Sequence, residues 1–124
     1  MSDGLLGVVV SHGRLGDAFL GAVRQITGEP DGLVAVSNDG CDRDALQERI
    51  AAVVGSRPAV VFTDLPSGSC LQAAATYLRT HEAVAVVAGV NLAMLIDFIY
   101  HRDLSAVDAA TRAVAKGGQA VRAL

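Results

Sequence analysis

The stretch Val8–Leu20, VVVSHGRLGDAFL, changes character in its middle. Three consecutive valines favour extended backbone. Ser11, His12 and Gly13 then interrupt the apolar run, and from Leu15 onward the spacing becomes helical, with Leu15, Phe19, Val23 and Ile26 on one expected face. A strand that passes through a short polar turn into a helix is the opening of a βαβ unit. The reading therefore predicts an α/β chain and leaves one question: whether His12 is only a turn residue or a working group at the end of a strand.

The same pattern repeats. Leu5–Val10, Leu33–Ser37, Ala59–Thr63 and Ala83–Ala88 are short and almost continuously apolar, the mark of strands buried on both faces. Between and after them, Asp44–Val54, Cys70–Arg79, Asn91–Tyr100 and Ala106–Lys116 read as helices, with Gly117-Gly118 as the expected stop of the last. The order β-α-β-α-β-α-β-α-α predicts a doubly wound, mostly parallel sheet of order 2-1-3-4 with helices on both faces. A short antiparallel strand at Gln119–Leu124 is a further candidate.

Composition narrows the function classes. The 124 residues predict a single domain, 1–124. A hydrophobic share of 52% and a mean hydropathy of +0.42 exclude a disordered chain, and 4% aromatics make the core aliphatic. A net charge of −3, with no basic cluster, gives nucleic acid no footing. No window is long and apolar enough to enter a membrane, and MSDGLL lacks the features of a signal peptide, so a cytoplasmic protein is expected. Cys41 and Cys70 read as inert free thiols, with no CxxC or His/Cys spacing for structural zinc.

In a doubly wound sheet, chemistry gathers at the carboxyl ends of the strands. There the chain delivers Ser11-His12-Gly13, Asn38-Asp39-Gly40-Cys41, Asp64 to Ser69, and Gly89-Val90-Asn91. With order 2-1-3-4 the first and third strands are neighbours, which brings His12 and Asp64 within reach of each other. A carboxylate on Nδ1–H fixes the imidazole tautomer and leaves Nε2 as a nucleophile or base. Gly13 opens one helix and Ser67-Gly68-Ser69 another, and helix N-termini attract anions. This set suits phosphoryl transfer. Plainer readings stand beside it: Asp64 holding its own loop, Ser69 and Asn91 as N-caps, the glycines serving turns, and His81 and His101 as solvated surface residues.

Three motifs in order carry a resemblance. VVVSHGRLGDAFL resembles the phosphorylation segment of the enzyme IIA components of the mannose-type sugar phosphotransferase system. Asp64–Ala74, DLPSGSCLQAA, resembles that family's DL-x-GGSP-x-N-x-A loop, and Val87–Phe98, VAGVNLAMLIDF, is similar to its GVNLPML segment. The resemblance implies a homodimeric α/β phosphocarrier, with phosphate on His12, Asp64 paired to it and Ser69 near the phosphate. It also implies the phosphocarrier protein HPr as donor, a separate IIB protein as acceptor, and no metal or organic cofactor. Ser67, Cys70, Gln72 and Ala93 depart from the motifs, standing for glycine, proline, asparagine and proline. The altered loop leaves room for a regulatory protein whose phosphorylation controls partner binding. A small-molecule or nucleotide-binding module is the alternative of another class, although no GxGxxG or Walker sequence is present.

Overall fold

Each valine-rich run becomes a strand: β1 is Leu6–Ser11, β2 Leu33–Ser37, β3 Ala59–Thr63 and β4 Val84–Ala88. The helices are α1 (Leu15–Thr27), α2 (Arg43–Val54), α3 (Gly68–Leu78), α4 (Leu92–Ile99) and α5 (Ala106–Gln119). They are seen in a computed structural model that describes residues 4–29 and 31–124. Residues 1–3 and position 30 lie outside the described residues.

The four strands form one parallel sheet of order β2-β1-β3-β4, as expected. Val10 of β1 pairs in register with Val36 of β2 and Thr63 of β3. Side chains alternate between two cores, which is why the runs are apolar without alternation. On one face Leu6, Val8, Val10, Ala59 and Val61 meet Leu46 and Ile50 of α2 and Ala73, Ala74 and Tyr77 of α3. On the other face Val9, Val60, Phe62 and Val87 meet side chains of α1, α4 and α5. There Phe62 and Phe98 pack edge to face with ring centroids 5.4 Å apart. Gly7 makes room for that ring: a Cβ on it would lie 2.6 Å from the Phe98 ring and 2.5 Å from Leu33.

Three expectations need correction. First, α1 turns a different stripe inward. Gly16, Leu20 and Val23 are its buried residues and Phe19 packs partly against the core, whereas Leu15 and Ile26 are exposed. Gly16 sets this rotation, because the bare backbone sits where a Cβ would be 3.0 Å from Ala35 Cβ and 3.1 Å from Ser11 Oγ. Second, Gly117-Gly118 does not stop α5, which runs on to Gln119. Gly117 is buried because the helix passes so close to α4 that a Cβ there would run into the Met94 side chain. Asn91 caps α4 as expected, its Oδ1 accepting the Met94 N–H at 3.0 Å, and its Nδ2 donates to the Gly117 carbonyl at 3.0 Å. Third, residues 120–124 form no strand: α5 consumes the start of the segment, and the remainder is exposed beside it.

Parallel strands all point the same way, so the loops after β1, β2, β3 and β4 share one edge of the sheet. His12, Asn38, Asp64 and Asn91 all belong to that edge.

Candidate functional site

β1 ends at Ser11, a buried residue whose Oγ accepts the Gly16 N–H at 2.8 Å. That bond satisfies one of the orphan donors in the first turn of α1 and fixes where the helix starts. Between them the chain turns through Gly13 at φ +56°, a conformation that favours glycine. The Gly13 N–H reaches Asn38 Oδ1 from the β2 loop at 3.3 Å. His12 is thereby held at the rim with 49% of its side chain exposed.

The adjacent strand supplies the partner. Asp64 Oδ2 accepts the His12 backbone N–H at 3.0 Å and lies 2.7 Å from the ring Nδ1. Oδ1 accepts the Leu65 N–H at 3.0 Å. The Asp64 side chain is only 8% exposed. Burial pushes its carboxyl upward, but the His12 backbone and ring bonds together with the attraction of the imidazole outweigh that and hold it below its ordinary value. An ionised Asp64 requires the proton on Nδ1, so the neutral ring keeps its lone pair at Nε2. Nε2 has no partner among the described residues.

The loop after β3 swings through exposed Ser67 and Gly68, the latter at φ +87°, into α3. Ser67 is the N-cap of α3 by position, but its side chain makes no capping bond. The opening turn, with Ser69 half-buried, therefore keeps N–H donors that no capping side chain uses. Ser69 is in the second position of α3 rather than at the cap. No bond between Ser69 and His12 is recorded among the described residues.

Cys70 is the residue that the sequence reading set aside. It is fully buried, and its Sγ lies 3.9 Å from His12 Nδ1. Burial and then the charge of Asp64 push its thiol up to about 11, against a smaller opposite pull from Ser69. The ligand-capable atoms of His12, Asp64 and Cys70 lie within 4.8 Å of one another. Spacing alone does not reveal this cluster, since fifty-eight residues separate His12 from Cys70. The sequence signal is the placement of Cys70 in the first turn of the helix that follows Asp64.

Two exposed leucines, Leu15 and Leu65, flank the pair along the chain. A shallow cleft of about 100 Å³ opens nearby, lined by Ser11, Gly13, Gly16, Asp17 and Ser37 among others. The imidazole stands at the surface beside it. His81 stacks on Tyr77, with ring centroids 3.8 Å apart, and His101 bonds the Asp97 carbonyl; neither belongs to this edge. No helix among the described residues is long and apolar enough to cross a membrane.

A family model described as the PTS system fructose IIA component matches residues 7–115. No curated protein matches the chain significantly. Among solved structures, the mannose/sorbose specific IIA subunit of the phosphotransferase system from Enterococcus faecalis is 26% identical, with a TM-score of 0.85 over 98% of this chain and 95% of that one. Phosphotransferase system component EIIA from Streptococcus agalactiae is 19% identical, with a TM-score of 0.87 over 96% of each chain. A sigma-54 interaction domain protein from Enterococcus faecalis shares the fold at 14% identity, with a TM-score of 0.80 over 98% of this chain and 96% of that one.

Proposed function

Because the chain belongs to the fructose IIA component family of the phosphotransferase system, we propose that it carries its phosphoryl group on Nε2 of His12. HPr is the donor and a separate IIB protein the acceptor. The observation that carries this reading is the Asp64 carboxylate 2.7 Å from Nδ1, which leaves the other ring nitrogen as the nucleophile. As Nε2 attacks, an N–P bond forms to it and the N–P bond to the donor imidazole breaks. No proton has to move, because Nδ1 keeps its proton throughout. Positive charge developing on the ring is offset by ionised Asp64.

The phosphoryl oxygens are given to the opening turn of α3, where Ser67, Gly68 and Ser69 present N–H and hydroxyl donors. Gly13 completes this cradle; its N–H leaves Asn38 at little cost, since a 3.3 Å bond is a long one. Exposed Leu15 and Leu65 beside a surface histidine suit a protein partner better than a small substrate. No metal or organic cofactor takes part in this transfer, and the protein works in the cytoplasm.

A homodimer is part of the same reading. α4 buries Met94, Leu95, Phe98 and Ile99, so the spare apolar surface lies on α5, where Val107 and Val114 are exposed two turns apart. A monomer mass by light scattering at micromolar concentration overturns the dimer.

Incubation with enzyme I, HPr and phosphoenolpyruvate labels the chain with one acid-labile phosphate, and His12→Ala abolishes the label. A His12→Ala protein that labels as well as the parent refutes the assignment.

A further inference from the structure

Three side chains of different ligand types converge beside β1 and β3. Nδ1 of His12 is 2.7 Å from Asp64 Oδ2 and 3.9 Å from Cys70 Sγ, and one ligand atom from each residue fits within a 4.8 Å span. We propose that His12, Asp64 and Cys70 form a site for a zinc-type divalent cation, open at its fourth position, and that the ion holds the protein in a form unable to accept phosphate.

The distances decide whether one ion can bridge the three. Tetrahedral zinc, with bonds of about 2.0 Å to nitrogen or oxygen and about 2.3 Å to sulfur, keeps its donors roughly 3.3 to 3.6 Å apart. The nitrogen–oxygen gap has to open by about 0.6 Å and the nitrogen–sulfur gap to close by about 0.3 Å. The oxygen–sulfur gap, at most 4.8 Å, has to close by up to about 1.2 Å. All three are side-chain adjustments, in which the half-exposed His12 ring gives up its bond to Asp64. Three protein ligands and one open position is the ligand count of an accessible zinc site rather than a closed structural one. Binding displaces the Cys70 thiol proton to solvent, and the resulting thiolate and the Asp64 carboxylate together balance the double charge. The sulfur ligand selects a borderline-soft ion over magnesium, which prefers six oxygens. The mannose-type motif that this loop resembles has proline where this chain has Cys70, so the third ligand is a feature of this sequence.

The consequence for chemistry follows from the imidazole. A cation on Nδ1 takes the place of the proton shared with Asp64, and the neutral ring then carries its proton on Nε2. The lone pair that attacks phosphorus is gone. This inhibitory half rests on His12 being the phosphate acceptor; the binding half does not.

The test uses the full chain without a polyhistidine tag. Calorimetric titration with Zn²⁺ is expected to give one site per chain, with no binding of Mg²⁺ at the same concentration. Titration with Co²⁺ is expected to show a thiolate-to-metal charge-transfer band. Cys70→Ala removes the band and weakens Zn²⁺ binding at least tenfold. Cys70→Ser guards against a packing defect and also loses the band, while Cys41→Ser keeps both. Circular dichroism confirms that the variants fold. With isolated phospho-HPr as donor, one equivalent of Zn²⁺ suppresses labelling of the parent chain and chelation restores it. In Cys70→Ala, labelling with and without Zn²⁺ is the same, which also controls for zinc acting on the donor. Absence of the one-site titration, or loss of the band in Cys41→Ser alone, overturns the site. Binding with undiminished labelling overturns the inhibition. A zinc-free parent chain that takes no phosphate overturns the carrier reading and leaves the titration result standing.

Discussion

A single oxygen, Oδ2 of Asp64, accepts the backbone N–H of His12 at 3.0 Å and lies 2.7 Å from its ring Nδ1. The first bond fixes the loop and the second fixes the ring, so the carboxylate holds both the position and the tautomer of the imidazole.

Asp64→Asn retains an oxygen able to accept both bonds but loses the charge. Phosphate acceptance is expected to slow by about 10²-fold, since no anion offsets the positive charge developing on the ring. Rapid-quench labelling from phospho-HPr measures it. A rate within twofold of the parent refutes the electrostatic role.

The same pair makes stability depend on pH in one direction. The folded-state value of Asp64 is lowered, so its stabilising contribution is complete above the ordinary carboxylate range, about pH 4, and is lost as pH falls through the lower folded-state value. The parent chain is expected to melt above Asp64→Asn at neutral pH, with the gap closing in acid below about pH 4. Thermal melts across that range check the sign, and a gap that widens in acid contradicts it.

Asn38→Ala removes the acceptor that holds the Gly13 N–H and frees the loop that carries His12. Acceptance should slow by up to about tenfold without loss of folding. Rapid-quench labelling from phospho-HPr measures the rate, circular dichroism checks the fold, and a rate equal to the parent's refutes the positioning role.

Two neighbouring glycines in α5 should respond with opposite signs. Gly117→Ala drives a methyl group into Met94 and is expected to cost about 1–3 kcal/mol. Gly118 faces open space, and Gly118→Ala should stabilise by about 0.4–1 kcal/mol through the unfolded chain. Denaturant melts of the two proteins decide it.

The two thiols should differ in reactivity. Cys70 is buried with its thiol pushed up to about 11, and Cys41 is partly exposed. Iodoacetamide near neutral pH is expected to modify Cys41 and spare Cys70 until the protein unfolds. Peptide mass spectrometry locates the label, and rapid modification of Cys70 in the folded chain contradicts the environment described.

The sheet was legible because its cause is local: strands buried on both faces must be apolar throughout, and Val8–Val10, Val60–Phe62 and Val84–Val87 are. The strand order that follows puts His12 beside Asp64. What escaped depended on close approach between elements. The Gly16 backbone against Ala35 rotates α1 away from the Leu15–Ile26 stripe, and Gly117 lies inside a helix because Met94 needs its space. Both glycines carry the ordinary signal of a turn or break, and only the neighbouring helix or strand changes its meaning. The nearness of Cys70 to the imidazole is hidden for a related reason: it is set by the path of the Asp64–Ser67 loop, which no periodicity records.

The two central strands are paired on both sides, whereas β2 and β4 form the edges. Local opening begins at edges and loop tips and reaches doubly paired strands last. His12 and Asp64 are attached to β1 and β3, the strands whose amides are expected to exchange most slowly with solvent. Fraying of β2 or β4 therefore leaves the imidazole and carboxylate in register, so the geometry of the pair outlasts loosening of the sheet's margins.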